Sequence, residues 1–110
     1  MNFLGKIMQT LGGAAPQELP QNATLIDVRS EGEYASGYID GAISLPLASI
    51  AQTIAAAVPD KSTPIIVYCR SGARSSSAKS ILDNLGYQNV SNGGGVGGLV
   101  LRLQKEIRRR

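Results

Sequence analysis

A single cysteine stands at the start of a short segment that also carries two arginines and a glycine. This segment, the Cys69 loop, covers residues 69–75 and reads Cys-Arg-Ser-Gly-Ala-Arg-Ser. A free thiol has a pKa of about 8.5, which nearby cations or a helix N-terminus lower by one to several units. Because Arg70 and Arg74 are close to Cys69 along the chain, we expect a thiolate at pH 7 that is held beside a second anion.

The Cys69 loop lies between a predicted strand and a predicted helix. Residues 65–68 are apolar and mostly β-branched and follow Pro64, as is typical of a short buried strand. After the loop, apolar residues recur at helical spacing up to Gly86, at Ala78, Ile81, Leu82 and Leu85. A tight turn between a strand and a helix directs backbone N–H groups and the helix N-terminus to one point. Such an arrangement binds anions.

The composition limits the chemistry. The 110 residues are 43% hydrophobic and 17% charged, as in an ordinary single globular domain. One cysteine excludes an internal disulfide and a multi-cysteine metal cluster, so we expect no metal. The absence of histidine excludes Cys–His and Ser–His catalysis.

The net charge is +3, and much of it lies in residues 102–110, which we interpret as a solvated helix end. Because the chain has one Phe and no Trp, no nucleic-acid site is expected.

Residues 1–15 are predicted to form an amphipathic helix that docks on the main domain of residues 16–110 or, as the alternative, on a membrane surface. Their apolar side chains are spaced for one helix face, and Gly12 and Gly13 follow. Lys6 interrupts the apolar positions instead of preceding them, so a signal peptide is not indicated. No apolar run approaches the ~18–20 residues of a membrane span. We therefore expect a cytoplasmic protein without a stable membrane anchor.

The remaining chain alternates between predicted strands and helices. Strands are expected at residues 24–28, 42–45, 65–68 and 89–91, and helices after Ser30, over 47–58, after Arg74 and over 99–107. Ser30 and Glu33 have the spacing of a capping box, and Pro59 ends the helix over 47–58. This alternation indicates an α/β fold with a mostly parallel sheet and helices on both faces. Sites in such folds lie at the carboxyl ends of strands. The glycine-rich run 92–98 is either a surface turn or backbone that passes close to the Cys69 loop.

Several reactions of a thiolate are conceivable at this loop. Disulfide exchange within the chain lacks a resolving cysteine, and acyl transfer lacks a histidine base. Phosphate-ester hydrolysis by a Cys-x5-Arg loop needs arginine at position 75, where this chain has Ser75. Attack on the outer sulfur of thiosulfate fits best, because it needs a nucleophile of low pKa and cations for a dianion but little proton transfer.

The chain also resembles a known family, the single-domain rhodaneses, which are thiosulfate sulfurtransferases. The similarity extends roughly over residues 24–99, and residues 57–61 together with the Cys69 loop resemble the small phage-shock-type rhodaneses. The matching segments are residues 25–29, 33–34, 37–43, 45–46, 67–75 and 85–87, with the glycines from Gly93.

The resemblance implies a rhodanese-like fold and a role for each matching residue. Cys69 would accept sulfur as a persulfide, and no cofactor would be needed. Asp27 and Arg29 would support the neighbouring strand end, either as a structural ion pair or in catalysis. Glu33 would cap a helix, and Ser75 with Ser76 would start the helix after the loop. The thiosulfate anion and the persulfide would be held by Arg70, Ser71, Gly72, Ala73, Arg74 and Ser75.

The implied function is transfer of the sulfane sulfur of thiosulfate to cyanide or to a thiol acceptor. The alternative is a persulfide carrier that a partner protein loads, and the sequence leaves the donor, the acceptor and the oligomeric state open.

Two positions depart from the family pattern. Tyr38 stands where histidine is common, and the glycine segment lacks a following tryptophan, which leaves the acceptor side of the pocket open. Phage-shock-type relatives are often exported, so the periplasm is the alternative location.

Overall fold

A computed structural model describes residues 18–110. The helix predicted at residues 1–15 lies outside this part of the chain. The described elements, in chain order, are β1 (Thr24–Asp27), α1 (Glu31–Ser36), β2 (Tyr38–Ile39), β3 (Ile43–Ser44), α2 (Ile50–Ala57), β4 (Ile65–Cys69), α3 (Ala73–Asn84), β5 (Val90–Gly95), α4 (Val96–Leu103) and β6 (Ile107–Arg108).

Four parallel strands form the central sheet in the order β3-β1-β4-β5. This confirms the predicted α/β class. The register pairs Asp27 of β1 with Tyr68 of β4, and Cys69 of β4 with Gly95 of β5. The carboxyl ends of β1, β4 and β5 therefore lie side by side. This edge of the sheet carries Asp27, Cys69 and the glycine segment.

Side chains of β4 alternate between two hydrophobic clusters, one on each face of the sheet. Ile65, Val67 and Cys69 belong to the cluster that contains α2 and α3. Ile66 and Tyr68 belong to the cluster that contains α1 and α4. All five residues of β4 are buried, as predicted for a strand covered on both sides. None of the helices between residues 18 and 110 is long and apolar enough to cross a membrane.

Two of the predicted helices have the expected local signals. Ser30 and Glu33 form the predicted capping box at α1, in which Ser30 Oγ accepts from the Glu33 N–H at 3.2 Å and Glu33 accepts from the Ser30 N–H at 3.0 Å. The helix predicted over residues 47–58 begins with a single 3-10 turn at Leu47–Ser49 and continues as α2. Pro59 then follows the end of this segment, as expected.

The prediction of a C-terminal helix that includes Ile107 is wrong. Helix α4 ends at Leu103, where Gln104 adopts a left-handed conformation with φ of 55°. Ile107 and Arg108 instead form β6, which pairs antiparallel with β2. Arg108 is therefore not on a frayed helix end, and it forms ion pairs with Asp40 and Glu106.

The interpretation of the glycine run as a surface turn is also wrong. Strand β5 does not stop at Ser91 but continues through Gly95, beside β4. A Cβ on Gly93 would lie 2.8 Å from side-chain atoms of Ile66 and Leu99. The missing side chains let this strand lie close under α4 and beside the Cys69 loop, as the alternative prediction proposed.

Candidate active site

Cys69 is the last residue of β4, and the turn that follows it is very short. Helix α3 begins at Ala73, so only three residues separate the strand from the helix. Gly72 caps the helix with φ of 106°, a left-handed conformation that glycine adopts without strain. Because the turn is this tight, the N–H groups of Gly72 and Ser75 point back at the Cys69 side chain. Cys69 is 1% exposed.

Neutral hydrogen-bond donors surround the Cys69 sulfur. The N–H of Gly72 donates to Sγ at 2.9 Å and that of Ser75 at 3.4 Å, and the Ser75 hydroxyl oxygen lies 3.5 Å from it. Burial raises the pKa of Cys69, but hydrogen bonds from the Ser75 hydroxyl and from the N–H groups of Ser75, Gly72 and Ser71 outweigh it and lower the pKa to about 7. A larger fraction of Cys69 is therefore ionised at neutral pH than of a free cysteine.

The guanidinium of Arg74, which was predicted to face the anion, is paired with the carboxylate of Glu33. Its Nη1 and Nη2 donate to the two carboxylate oxygens of Glu33 at 2.7 and 3.0 Å. The hydrogen bond from Arg74, with that from the Ser30 backbone, lowers the pKa of Glu33 to about 2. Glu33 thus both caps α1 and holds Arg74 at the rim of the loop. Arg70 is exposed.

The sequence predicted that Ser75 starts the helix after the loop and helps to hold the anion. Helix α3 begins two residues earlier, and Ser75 is completely buried within its first turn. The Ser75 hydroxyl donates to Oδ1 of Asn92 at 2.7 Å. Asn92 lies in β5 and was not among the candidate site residues. Its position directly before three glycines was the one available signal, because glycines mark backbone that approaches another segment closely.

The glycine segment of β5 contacts the Cys69 loop directly. A Cβ on Gly95 would lie 2.6 Å from the carbonyl oxygen of Arg70, closer than real Cβ contacts allow. A Cβ on Gly72 would lie 3.7 Å from Cα of Gly94. Glycine at position 95 therefore lets the loop occupy its place beside β5.

Asp27 and Arg29 form a buried ion pair at the end of β1. Nε of Arg29 donates to both carboxylate oxygens, at 3.0 and 3.1 Å, and Nη2 donates to Oδ2 at 2.6 Å. Nη2 also donates to the carbonyl of Gly37 at 2.6 Å. The guanidinium lies 5.9 Å from the centre of the Tyr68 ring, so the pair supports the strand that ends in Cys69. The geometry favours the structural interpretation of this pair.

A cavity of about 830 Å³ lies elsewhere in the structure, and its lining includes no residue of the Cys69 loop. Its walls come from the amino ends of the strands and from the end of α4, with Thr24, Ile43 and Leu103 among them. The size of this cavity therefore says nothing about the site at Cys69. At the loop itself, the backbone N–H groups of Gly72 and Ser75 donate to the Cys69 sulfur.

Comparison with known proteins agrees with this geometry. The family profile of the rhodanese-like domain matches residues 14–96. The chain belongs to the rhodanese family. It is 45% identical over 71 residues to the thiosulfate sulfurtransferase PspE of Escherichia coli, covering 64% of this chain and 68% of that protein. It is 39% identical over 70 residues to the thiosulfate sulfurtransferase GlpE of Pseudomonas fluorescens, covering 64% of this chain and 62% of that one.

A solved rhodanese has the same fold. A rhodanese with anions from Escherichia coli superposes with a TM-score of 0.66 and 43% identity, covering 68% of this chain and 88% of the other. The central sheet and the Cys69 loop both lie within residues 14–96, which the family profile matches.

Proposed function

We propose that this rhodanese is a thiosulfate sulfurtransferase in which Cys69 accepts the sulfane sulfur. The observation that carries the proposal is the set of donors on the Cys69 sulfur, which comes from the Ser75 hydroxyl and from backbone N–H groups and holds the pKa at about 7. The names of the relatives PspE and GlpE support the same activity.

In the first step the Cys69 thiolate attacks the outer sulfur of thiosulfate. A new S–S bond forms to Sγ, the S–S bond of thiosulfate breaks, and its electron pair leaves with sulfite. The products are the anionic persulfide of Cys69 and sulfite, so the total charge is unchanged and no proton moves. This agrees with a chain that contains no histidine.

In the second step an acceptor nucleophile attacks the outer sulfur of the persulfide. Cyanide would leave as thiocyanate, and a thiolate would leave as a new persulfide. In both cases the electron pair of the broken S–S bond returns to Sγ of Cys69. The cycle regenerates the thiolate without a cofactor.

The loop residues have separate roles in this proposal. The backbone of Ser71, Gly72 and Ala73 at the start of α3 presents N–H groups to the bound anion, and Arg70 supplies a free charge at the entrance. The N–H of Ser75 donates to the sulfur, and the Ser75 hydroxyl oxygen lies 3.5 Å from it. Arg74 acts from the rim, where its pairing with Glu33 reduces the charge that it offers to thiosulfate. Asp27 and Arg29 support the strand before Cys69.

Intact mass spectrometry after incubation with thiosulfate tests the proposal. We expect wild-type protein to gain the mass of one sulfur atom and to lose it when cyanide or a thiol is added. The Cys69→Ser variant should gain nothing and lose at least about 10³-fold of the turnover, because it lacks the nucleophile. Wild-type protein that gains no mass, or a variant that still turns over thiosulfate, would contradict the proposal.

The same protein can be tested for the role of a carrier. A carrier would have a high KM for thiosulfate and would load rapidly from a protein persulfide.

We also propose the cytoplasm as its location, where a reducing environment keeps a reactive thiol free. Cell fractionation with cytoplasmic and periplasmic markers tests the location.

A further inference from the structure

We propose that Asn92 is a positioning residue that takes up the Ser75 hydroxyl hydrogen and so limits hydrogen bonding to the Cys69 sulfur. This proposal rests on the proposed function only in taking Cys69 as the reactive thiol. It concerns β5, a strand outside the Cys69 loop.

The Ser75 hydroxyl has more acceptors around it than it can serve. Its oxygen lies 2.7 Å from Oδ1 of Asn92, 3.0 Å from the carbonyl oxygen of Gly72 and 3.5 Å from Sγ of Cys69. A hydroxyl carries one hydrogen, and a carbonyl oxygen, an amide oxygen and a thiolate can only accept. At any moment one of the three receives the hydrogen.

The orientation of the Asn92 amide is fixed independently of Ser75. The N–H of Gly94 donates to the same atom at 2.9 Å, so this atom must be the amide oxygen and not the nitrogen. In the hydrogen bond between Ser75 and Asn92, the Ser75 hydroxyl can therefore only be the donor and Asn92 only the acceptor. The contact with Asn92 is also the shortest of the three, which makes Asn92 the strongest competitor of the sulfur.

The two protonation states of Cys69 use this arrangement differently. A protonated thiol can donate to the Ser75 oxygen while the Ser75 hydrogen stays on Asn92, so that every group is satisfied. A thiolate needs the Ser75 hydrogen for itself, and it gains that hydrogen only when the bond to Asn92 is given up. Asn92 thus favours the thiol and keeps the thiolate from becoming too stable.

This balance suits a nucleophile. A thiol of very low pKa is ionised but weakly nucleophilic, and the best attacking thiol has a pKa near the ambient pH. The backbone N–H groups of the loop stabilise the thiolate form of Cys69, and Asn92 reduces this stabilisation by accepting the Ser75 hydrogen.

Charged groups near Cys69 act on it independently of Asn92. Strand β5 and helix α2, which belong to the same cluster as Cys69 or lie beside it, carry no titratable side chains. The charged residues on the other neighbouring elements are Arg70 in the loop, Arg74, Lys79 and Asp83 on α3, Glu31 and Glu33 on α1, and Asp27 and Arg29 at the end of β1.

The test is a double-mutant cycle on the pH dependence of Cys69 alkylation by iodoacetamide. Asn92→Ala removes the strongest competitor for the Ser75 hydrogen and leaves only the Gly72 carbonyl to compete with the sulfur. We therefore expect the apparent pKa of Cys69 to fall by up to about one pH unit. The plateau rate at alkaline pH should fall about two- to threefold, because nucleophilicity falls with pKa. Ser75→Ala alone should raise the pKa.

The decisive variant combines both substitutions. In the Ser75→Ala background, Asn92→Ala should leave the pKa where Ser75→Ala put it, because there is no hydroxyl left to release. An equal change in both backgrounds, or no change in the wild-type background, would overturn the proposal and leave Asn92 with a merely structural role through Gly94.

A second variant covers the case in which Asn92→Ala does not fold. Asn92→Asp keeps an oxygen that accepts from both Ser75 and Gly94, and its charge binds the Ser75 hydrogen more firmly. The pKa of Cys69 should rise, and the rise should be smaller in the Ser75→Ala background. A rise of the same size in both backgrounds argues against the proposal. Alkylation does not need thiosulfate, so failure of sulfur loading in wild-type protein would count against the proposed function alone.

Discussion

The neighbouring strands β1 and β4 both end in a side chain that carries negative charge, but the two charges are held in opposite ways. Asp27 accepts four hydrogen bonds from Arg29, three of them from the guanidinium. Cys69 accepts from backbone N–H groups and shares the single hydrogen of Ser75 with other acceptors. Both side chains are buried, at 0% and 1% exposure.

The difference separates a structural charge from a reactive one. A buried carboxylate that is fully matched by a guanidinium has neither a free lone pair nor room for a ligand. A sulfur held by neutral donors keeps a pKa of about 7 and can change its bonding partners. One edge of the sheet therefore provides rigidity at β1 and chemistry at β4.

The largest expected effect is at the end of β1. Asp27→Ala leaves the buried Arg29 guanidinium without its partner, and we expect a loss of about 3–5 kcal/mol in the free energy of unfolding. Urea denaturation measures this loss. Replacing both partners together, with Asp27→Leu and Arg29→Met, should recover most of it. Cys69→Ser should change the free energy of unfolding by less than about 1 kcal/mol. An equal loss in Asp27→Ala and in Cys69→Ser would remove the contrast between the two strand ends.

The next effect is on the contact between β5 and the Cys69 loop. Gly95→Ala places a Cβ against the Arg70 carbonyl. This displaces the loop and moves its N–H groups away from the Cys69 sulfur. We expect sulfur loading from thiosulfate to slow by about tenfold, since a misplacement of about 1 Å costs up to 10² in rate. Intact mass spectrometry of samples quenched at successive times measures the rate of loading. Gly97→Ala is the matched control, because a Cβ there meets nothing within 4 Å, and it should load at the wild-type rate.

The smallest effect is at the half-exposed pair Arg74–Glu33, which sharpens the comparison because it resembles the Asp27–Arg29 pair without its burial. The pKa of Glu33 is lowered from 4.5 to about 2, so the pair stabilises the fold above pH 4.5 and this contribution is lost as the pH falls through 2. Glu33→Gln keeps a cap but removes the charge. We expect it to cost less than about 1 kcal/mol at pH 7, because solvent screens the pair.

Denaturation of this variant at two pH values checks the expectation. The difference from wild-type protein should disappear near pH 2 and should shrink at high salt. A difference that persists at pH 2 would mean that the carboxylate acts through the cap of α1 and not through Arg74.

The parts of the fold that were predicted correctly are those with a local signal. The apolar run of β4, the helical spacing in α3 and the capping box of α1 are each contained within about a dozen residues. The alternation of these elements then determined the parallel sheet. The pairing of β2 with β6 had no such signal, since each strand has two residues and no alternation can show in so short a run.

The strand–turn–helix geometry of the Cys69 loop was predicted, but its long-range contacts were not. Cys69 and the loop follow from a motif of seven residues. Arg74 lies 41 residues from Glu33 along the chain, and Ser75 lies 17 residues from Asn92. Which of these long-range contacts forms depends on how the sheet brings β5 and α1 to the loop, and local spacing carries no information about it.

The antiparallel pair of β2 and β6 also determines the order in which the molecule can be assembled. Ile39 pairs with Ile107, which lies 68 residues later in the chain (107 − 39), and the Arg110 N–H donates to the carbonyl of Ala35. On the ribosome, every residue of the four-stranded sheet emerges before Ile107 does. The strand that covers the end of α1 is therefore added to a sheet that can already exist, and the loop that holds Cys69 does not have to wait for it.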